Sequence, residues 1–207
     1  MAIKNVEQLQ AMHLDVLKEI GNIGSGNAAS SLSTFLQTST DITVPIVRLL
    51  DFNETVNFLG GPENITIGML VNIVGDIKGM MLYILEEEFA SQLTGTLFGA
   101  PIEDLMNLND MEKSLISEVG NIMSASYINA IASLTGMTID ISVPMLTTDM
   151  VGALLSVPVI EFAQVGDKVL FIDDGFTIGG KEIKSNMILV PEMDSLETLF
   201  TRLGVSV

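Results

Sequence analysis

The strongest constraint on how this chain can fold is a four-residue pattern that occurs twice in one frame. Asp15, Glu19, Asn22 and Pro45 are matched by Ser114, Glu118, Asn121 and Pro144, each 99 positions later. The neighbourhoods match too. Glu19-Ile20-Gly21-Asn22-Ile23 reads against Glu118-Val119-Gly120-Asn121-Ile122, and Asp41-Ile42-Thr43-Val44-Pro45 against Asp140-Ile141-Ser142-Val143-Pro144. In a chain of 207 residues, such a repeat predicts one body built from two similar halves.

Each half predicts the same succession of elements. Leu14, Leu17, Ile20, Gly24, Ala28, Leu32 and Phe35 recur at helical spacing and place a long helix over about 6–36. A strand is expected over Ile42 to Leu50, followed by an acidic segment and the Gly60-Gly61-Pro62 turn. Ile65 to Val74 and Met80 to Leu85 read as a hairpin, and Glu86 to Phe98 as a second helix whose acidic start suits the helix dipole. In the second half, Lys113 to Ser133 is the long helix, Thr138 to Leu146 the strand, and Val151 to Phe162 an apolar segment containing Pro158. Lys168 to Phe176 and Lys184 to Val190 form a hairpin around Gly179-Gly180, and Asp194 to Leu203 a closing helix capped by Asp194 or Ser195. The expected fold is a single α+β domain over residues 1–207, with pseudo-repeats at about 6–100 and 105–207. It is a pseudo-twofold duplicated α/β unit with long helices packed on a largely antiparallel sheet.

Nine basic residues against 26 acidic ones give a formal charge of −17. Such a chain repels phosphate backbones and anionic headgroups, which argues against nucleic acid and membrane surfaces and for a basic protein surface as partner. The absence of cysteine excludes disulfides and thiolate catalysis and fits a reducing compartment. The start, Met1 to Gln8, lacks the apolar core of a signal peptide, so a cytoplasmic location is expected. Val119 to Ile139 is a 21-residue stretch without a charge, but its Asn, Ser and Thr residues fit a buried helix and turn better than a membrane span.

Helical spacing places the repeated polar residues in space. At about 100° per residue, positions i, i+4 and i+7 fall on one face, so Asp15, Glu19 and Asn22 share a face opposite Leu17, Ile20, Gly24 and Ala28. Ser114, Glu118 and Asn121 stand likewise opposite Ile116, Val119, Met123 and Tyr127. Glycines in a helix interior each cost roughly 0.5–1 kcal/mol. Gly24, on the apolar side, reads as a close helix contact, and Gly26, extending the polar face, as room for a partner. With one histidine, no phosphate-binding loop and no His/Asp/Glu metal cluster, the chain lacks the parts of most self-sufficient hydrolases. An amide can still orient water for in-line attack on phosphorus, and a carboxylate beside it can pair with a lysine or arginine of the substrate.

At these residues the chain resembles the CheC family of chemotaxis phosphatases: Asp or Ser, three residues, Glu, two residues, Asn, then 22 residues to Pro, with both copies intact. The resemblance covers nearly the whole chain. It implies hydrolysis of the aspartyl phosphate of the response regulator CheY, which would supply its own Mg2+ and an active-site lysine, so the chain needs no cofactor of its own. By carry-over, Asn22 and Asn121 position water, and Glu19 and Glu118 bind the CheY lysine. Asp15, Pro45, Ser114 and Pro144 then support the two sites. A single-site CheX-like protein would lack one motif, and a FliY-type phosphatase would add a further switch domain. The resemblance also implies binding to the deamidase CheD, without pointing to residues for it. The alternative is a noncatalytic adaptor that docks CheY or CheD through its acidic helix faces. Because Asp15 becomes Ser114, and Gly24 and Gly26 become Met123 and Ala125, the two sites are expected to differ in rate.

The remaining features read as structural. His13, replaced by Glu112 in the second copy, is expected at the surface. Thirteen methionines fill the core, Asp173-Asp174-Gly175 is a turn rather than a cation loop, and Glu86-Glu87-Glu88 starts a helix.

Overall fold

The structure, a computed structural model, describes residues 5–161 and 168–205. The first half runs α1 (Ala11–Leu36), β1 (Thr40–Ile42), β2 (Ile46–Asp51), α2 (Phe52–Phe58), β3 (Ile65–Gly75), β4 (Gly79–Leu85) and α3 (Glu87–Phe98). The second repeats that order as α4 (Asp110–Thr135), β5 (Ile139–Ile141), β6 (Met145–Met150), α5 (Val151–Glu161), β7 (Lys168–Ile178), β8 (Lys181–Pro191) and α6 (Met193–Arg202). Both α1 and α4 are 26 residues long, as a duplicated unit requires.

Several expected boundaries move. The first helix does not run from 6: Val6–Gln8 is a separate 3-10 turn, and α1 starts after Gln10, whose extended backbone caps it. The strand expected over Ile42 to Leu50 is two strands, as is its repeat over Thr138 to Leu146. Each is interrupted just before Pro45 or Pro144, which has no N–H to give a ladder. The acidic segment after Leu50 is the helix α2, whose Asp51 and Glu54 form a capping box: the Glu54 amide donates to Asp51 Oδ1 at 2.8 Å and the Asp51 amide to Glu54 Oε2 at 2.9 Å. The apolar segment from Val151 is a helix through Glu161 with Pro158 inside it; Phe162 lies outside the described residues. Neither Asp194 nor Ser195 caps α6, whose N-cap position is Glu192. The Ser195 hydroxyl instead accepts the Lys78 amide at 2.8 Å, tying α6 to the β3–β4 turn.

One sheet serves both halves. Its order is β1-β7-β8-β4-β3-β5, with β2 continuing β1 along β7, β6 continuing β5 along β3, and every pairing antiparallel. The hairpins β3–β4 and β7–β8 meet at the β4–β8 seam. Each half's helix-following strands pair with the other half's hairpin, so the halves exchange their edges.

Strand alternation sends side chains to opposite faces, and both faces are covered. Met81, Tyr83 and Leu85 point into a core closed by α1, α4, α3 and α6, while Met80, Leu82 and Ile84 pack on the other side with Val56 of α2, Leu59 just after it, and Leu154 and Leu155 of α5. The long helices meet along their apolar stripes. Leu32 and Ile116 are fully buried there, and burying each such side chain is worth roughly 1.5–3 kcal/mol. Gly24 sits at the contact: a Cβ there would lie 3.0 Å from the Cα and ring of Tyr127, so the helices come as close as they do only because that position has no side chain.

Candidate functional site

The packing of the apolar stripes leaves the other faces of α1 and α4 free. Asp15, Glu19 and Asn22 are all exposed on α1, and Ser114, Glu118 and Asn121 are all exposed on α4. Each predicted trio is thus brought together on one solvent-facing surface. The prolines are placed differently. Pro45 is buried and Pro144 half-buried, so they frame the faces rather than stand on them.

Register explains how the prolines come to lie there. Between the pairs Ile42↔Phe176 and Ile46↔Asp173, the three residues Thr43, Val44 and Pro45 face the two residues Asp174 and Gly175. Between Ile141↔Ile73 and Met145↔Leu70, Ser142, Val143 and Pro144 face Val71 and Asn72. Each copy therefore carries a β-bulge with one extra residue, a device that re-aims a strand. A hydroxyl residue pins each bulge to the other half. The Thr43 amide donates to the Gly175 carbonyl at 2.8 Å, and the Gly175 amide donates to Thr43 Oγ1 at 3.1 Å. The Ser142 amide donates to the Asn72 carbonyl at 2.9 Å, and the Asn72 amide donates to Ser142 Oγ at 3.0 Å. The extra residue turns its neighbour outward: Val44 is 62% exposed and Val143 82%.

The bulge meets the helix at the glycine before the asparagine. A Cβ on Gly21 would lie 3.3 Å from Pro45 Cγ, so the missing side chain lets the ring settle beside Asn22. In the second copy Gly120 is filled instead by Met69, whose Sδ and Cε occupy the space a Cβ would need. The two candidate sites thus share a plan and differ in their floor.

Beneath the first site lies a buried polar cluster. Tyr127 donates to Asp174 Oδ2 at 2.5 Å, Ser25 donates to Asp174 Oδ1 at 3.1 Å, and the two hydroxyls are 2.5 Å apart. It joins α1, α4 and β7 at the residue facing the Pro45 bulge. Burial raises the Asp174 carboxyl to about 6, while the Tyr127 and Ser25 hydrogen bonds hold it down; burial also pushes the Tyr127 hydroxyl well up. Asp173-Asp174-Gly175 is therefore not a turn. It lies inside β7, where a strand ladder and two hydroxyl donors satisfy what a loop would give to water.

His13 is likewise not at the surface. It is 4% exposed, its ring centroid is 4.7 Å from that of Phe200, and its Nδ1 accepts the Gln10 amide at 3.0 Å. Among the described residues no group of three or more His, Asp or Glu side chains could hold a metal ion, and no helix is long and apolar enough to cross a membrane.

A model of the CheC-like family matches residues 12–48 and 111–147, the two segments that run from the helix trio to the proline bulge. Over 197 residues, covering 93% of this chain and 94% of the relative, the sequence is 36% identical to the CheY-P phosphatase CheC of Bacillus subtilis strain 168. The chain belongs to the CheC-like family. The flagellar motor switch phosphatase FliY of the same organism is 28% identical over 143 residues, 69% of this chain and 37% of that longer protein. The crystal structure of Thermotoga maritima FliY superposes with a TM-score of 0.76 at 22% identity, covering 95% of this chain and 98% of that one, and so shares the fold.

Within this CheC-like chain, sequence reasoning passed over Thr43 and Ser142, although their hydroxyls stand at matched positions of the repeat. It also passed over Ser25 and read Tyr127 only as part of the apolar side of α4. The readable signal for that cluster was an aspartate pair inside an otherwise apolar strand run, Val169 to Ile178.

Proposed function

We propose that this chain is a phosphatase acting on the aspartyl phosphate of a CheY-type response regulator, with two sites centred on Glu19/Asn22 and Glu118/Asn121. The observation that carries the proposal is the doubling: both trios are exposed on matching helices, each framed by the same hydroxyl-pinned bulge. A pattern kept only for stability would be expected in the packed stripes of α1 and α4, not on their wet faces. A relative named a CheY-P phosphatase, similar over nearly its whole length, supports the same reading.

In this mechanism Glu19 or Glu118 pairs with a lysine of the regulator and fixes the docking register. The amide of Asn22 or Asn121 holds a water in line with the phosphorus; its oxygen forms the new P–O bond as the bond to the aspartyl carboxylate breaks, giving inorganic phosphate and free aspartate. Asp15 and Ser114 line the approach one turn away, and the bulges with Pro45 and Pro144 hold the helix faces in place. The Mg2+ bound by the regulator supplies the charge neutralisation that phosphoryl transfer needs. Neither asparagine acts as a base, so removing the amide costs positioning alone.

Phosphate release from a phosphorylated CheY-type regulator tests this. Asn22→Ala and Asn121→Ala should each lower the rate, by unequal amounts, and the double variant should return it to the regulator's own decay. Equal rates for wild type and double variant would exclude the enzyme and leave the adaptor reading. Binding to the deamidase CheD belongs to the same proposal and is checked by titrating one protein with the other.

A further inference from the structure

An open groove of about 390 Å³ runs into the second motif face. Phe35 from the end of α1, Leu97 and Phe98 from the end of α3, and Met111 from the start of α4 form its walls. Ser114 and Glu118 of the motif line it as well. The walls are unusually wet for apolar side chains: Leu97 and Phe98 are 41% exposed and Met111 64%. Asp110 and Glu118 also line it, so carboxylates stand beside its apolar walls.

We propose that this groove is the docking subsite of the second phosphatase centre. It receives an apolar side chain of the response regulator flanked by lysine or arginine, and it makes the second site the tighter of the two. The proposal rests on the phosphatase reading and says which part of the partner's surface the site takes. Position decides the occupant. A specific interface covers about 800 Å² per partner, a disc of roughly 16 Å radius. At 1.5 Å per residue, Ser114 and Met111 lie about 6 and 10 Å along the helix from Glu118. A regulator whose lysine reaches Glu118 and whose phosphoryl group reaches Asn121 therefore covers the groove, and covering apolar side chains beside a charged contact is what makes an interface anchor. The carboxylates of Asp110 and Glu118 in its lining complement a basic approach, as the charge of −17 does for the whole chain.

The duplication supplies an internal control. At the corresponding positions around the first motif the repeat places Met12, Asp15 and Leu134 in place of Met111, Ser114 and Phe35. An apolar partner side chain there would be brought against a carboxylate rather than a hydroxyl, and would meet a smaller wall.

The test reads binding without turnover. A CheY-type regulator held in its phosphoryl-like state with beryllofluoride is titrated against full-length protein with one motif erased, either Glu19→Ala with Asn22→Ala or Glu118→Ala with Asn121→Ala. Into each background Met111→Ser and, separately, Phe98→Ser are introduced; both side chains are exposed, so the fold does not depend on them. The expected result is about tenfold weaker binding where only the second motif remains, and less than twofold change where only the first remains. Equal weakening in both backgrounds, no weakening in either, or no binding by the second motif alone overturns the proposal. So does a dimer of the wild-type protein that Met111→Ser dissolves, since a second copy would then own the groove. Because hydrolysis is never measured, these outcomes stand apart from the asparagine experiment, whose failure would remove the phosphatase reading itself.

Discussion

His13 and Glu112 occupy the same position of the repeat and have nothing chemically in common except what they do. Each is the third residue of its helix and accepts the backbone amide of the cap residue, His13 Nδ1 from Gln10 at 3.0 Å and Glu112 Oε2 from Asn109 at 2.7 Å. A substitution that looks like the loss of a histidine is thus the retention of a capping box. Asp174 is the opposite case, a residue with no polar counterpart. The register that sets Asp173 across from Ile46 sets Leu70 across from Met145, so Asp174 matches Val71, and one half of the core holds a carboxyl where the other holds the two methyl groups of a valine. Its elevated value makes it a source of pH dependence. Because the folded chain binds this proton more tightly than the unfolded chain, the group favours folding fully below its usual 3.8. That contribution is lost as pH rises through about 6, and is constant above. The swing between 3.8 and about 6 corresponds to about 3 kcal/mol at most. Asp174→Asn should remove it: in denaturant melts the stability difference between the two proteins should shift in the variant's favour as pH rises from 4 to 7. A parallel pH dependence in both would show that Asp174 does not titrate in that window.

At the scale of the element, the glycines of α1 separate packing from access. Tyr127 is held by its bond to Asp174 and cannot swing away from a new methyl group, so Gly24→Ala should destabilise by about 1–3 kcal/mol despite the better helix propensity of alanine. Nothing lies within 4 Å of a Cβ built on Gly26, and Gly26→Ala should raise the melting temperature, by up to about 1 kcal/mol in stability. If Gly26 gives room to a partner, the same variant should release phosphate more slowly from the regulator; an unchanged rate would assign it no part in access. The helices and hairpins were legible because their periodicities, 3.6 and 2, run uninterrupted from Leu14 to Phe35 and from Ile65 to Val74. The helix faces of the candidate site were legible for the same reason. What pattern reading missed depends on partners far along the chain. The bulge at Pro45 exists only against Asp174 and Gly175, and the helix α2 is announced only by the short Asp51-Phe52-Asn53-Glu54 box, which a reading for charge takes as an acidic loop. Asp174 reads as a turn residue until Ser25 and Tyr127, 149 and 47 positions away, arrive to hold it.

At the scale of the molecule, the exchange of edges makes each half depend on the other. The strands β1 and β2 find their ladder only on β7, and β5 and β6 only on β3, so a chain cut between the halves splits the one sheet and leaves each half's hairpin with open edges and half of the core missing. The candidate sites inherit that dependence. The helix of the first site belongs to one half, and the strand that pins its bulge through Gly175 belongs to the other, with Asn72 doing the same in reverse. Residues 1–104 and 105–207 expressed apart should therefore each lack a cooperative unfolding transition. Mixed, they should recover one, together with phosphate release from a CheY-type regulator, to the extent that strand exchange rebuilds the bulges. If residues 1–104 alone melted cooperatively and hydrolysed the phosphate, the pairing of β1 and β2 with β7 would be dispensable, and the first site would need only its own helix.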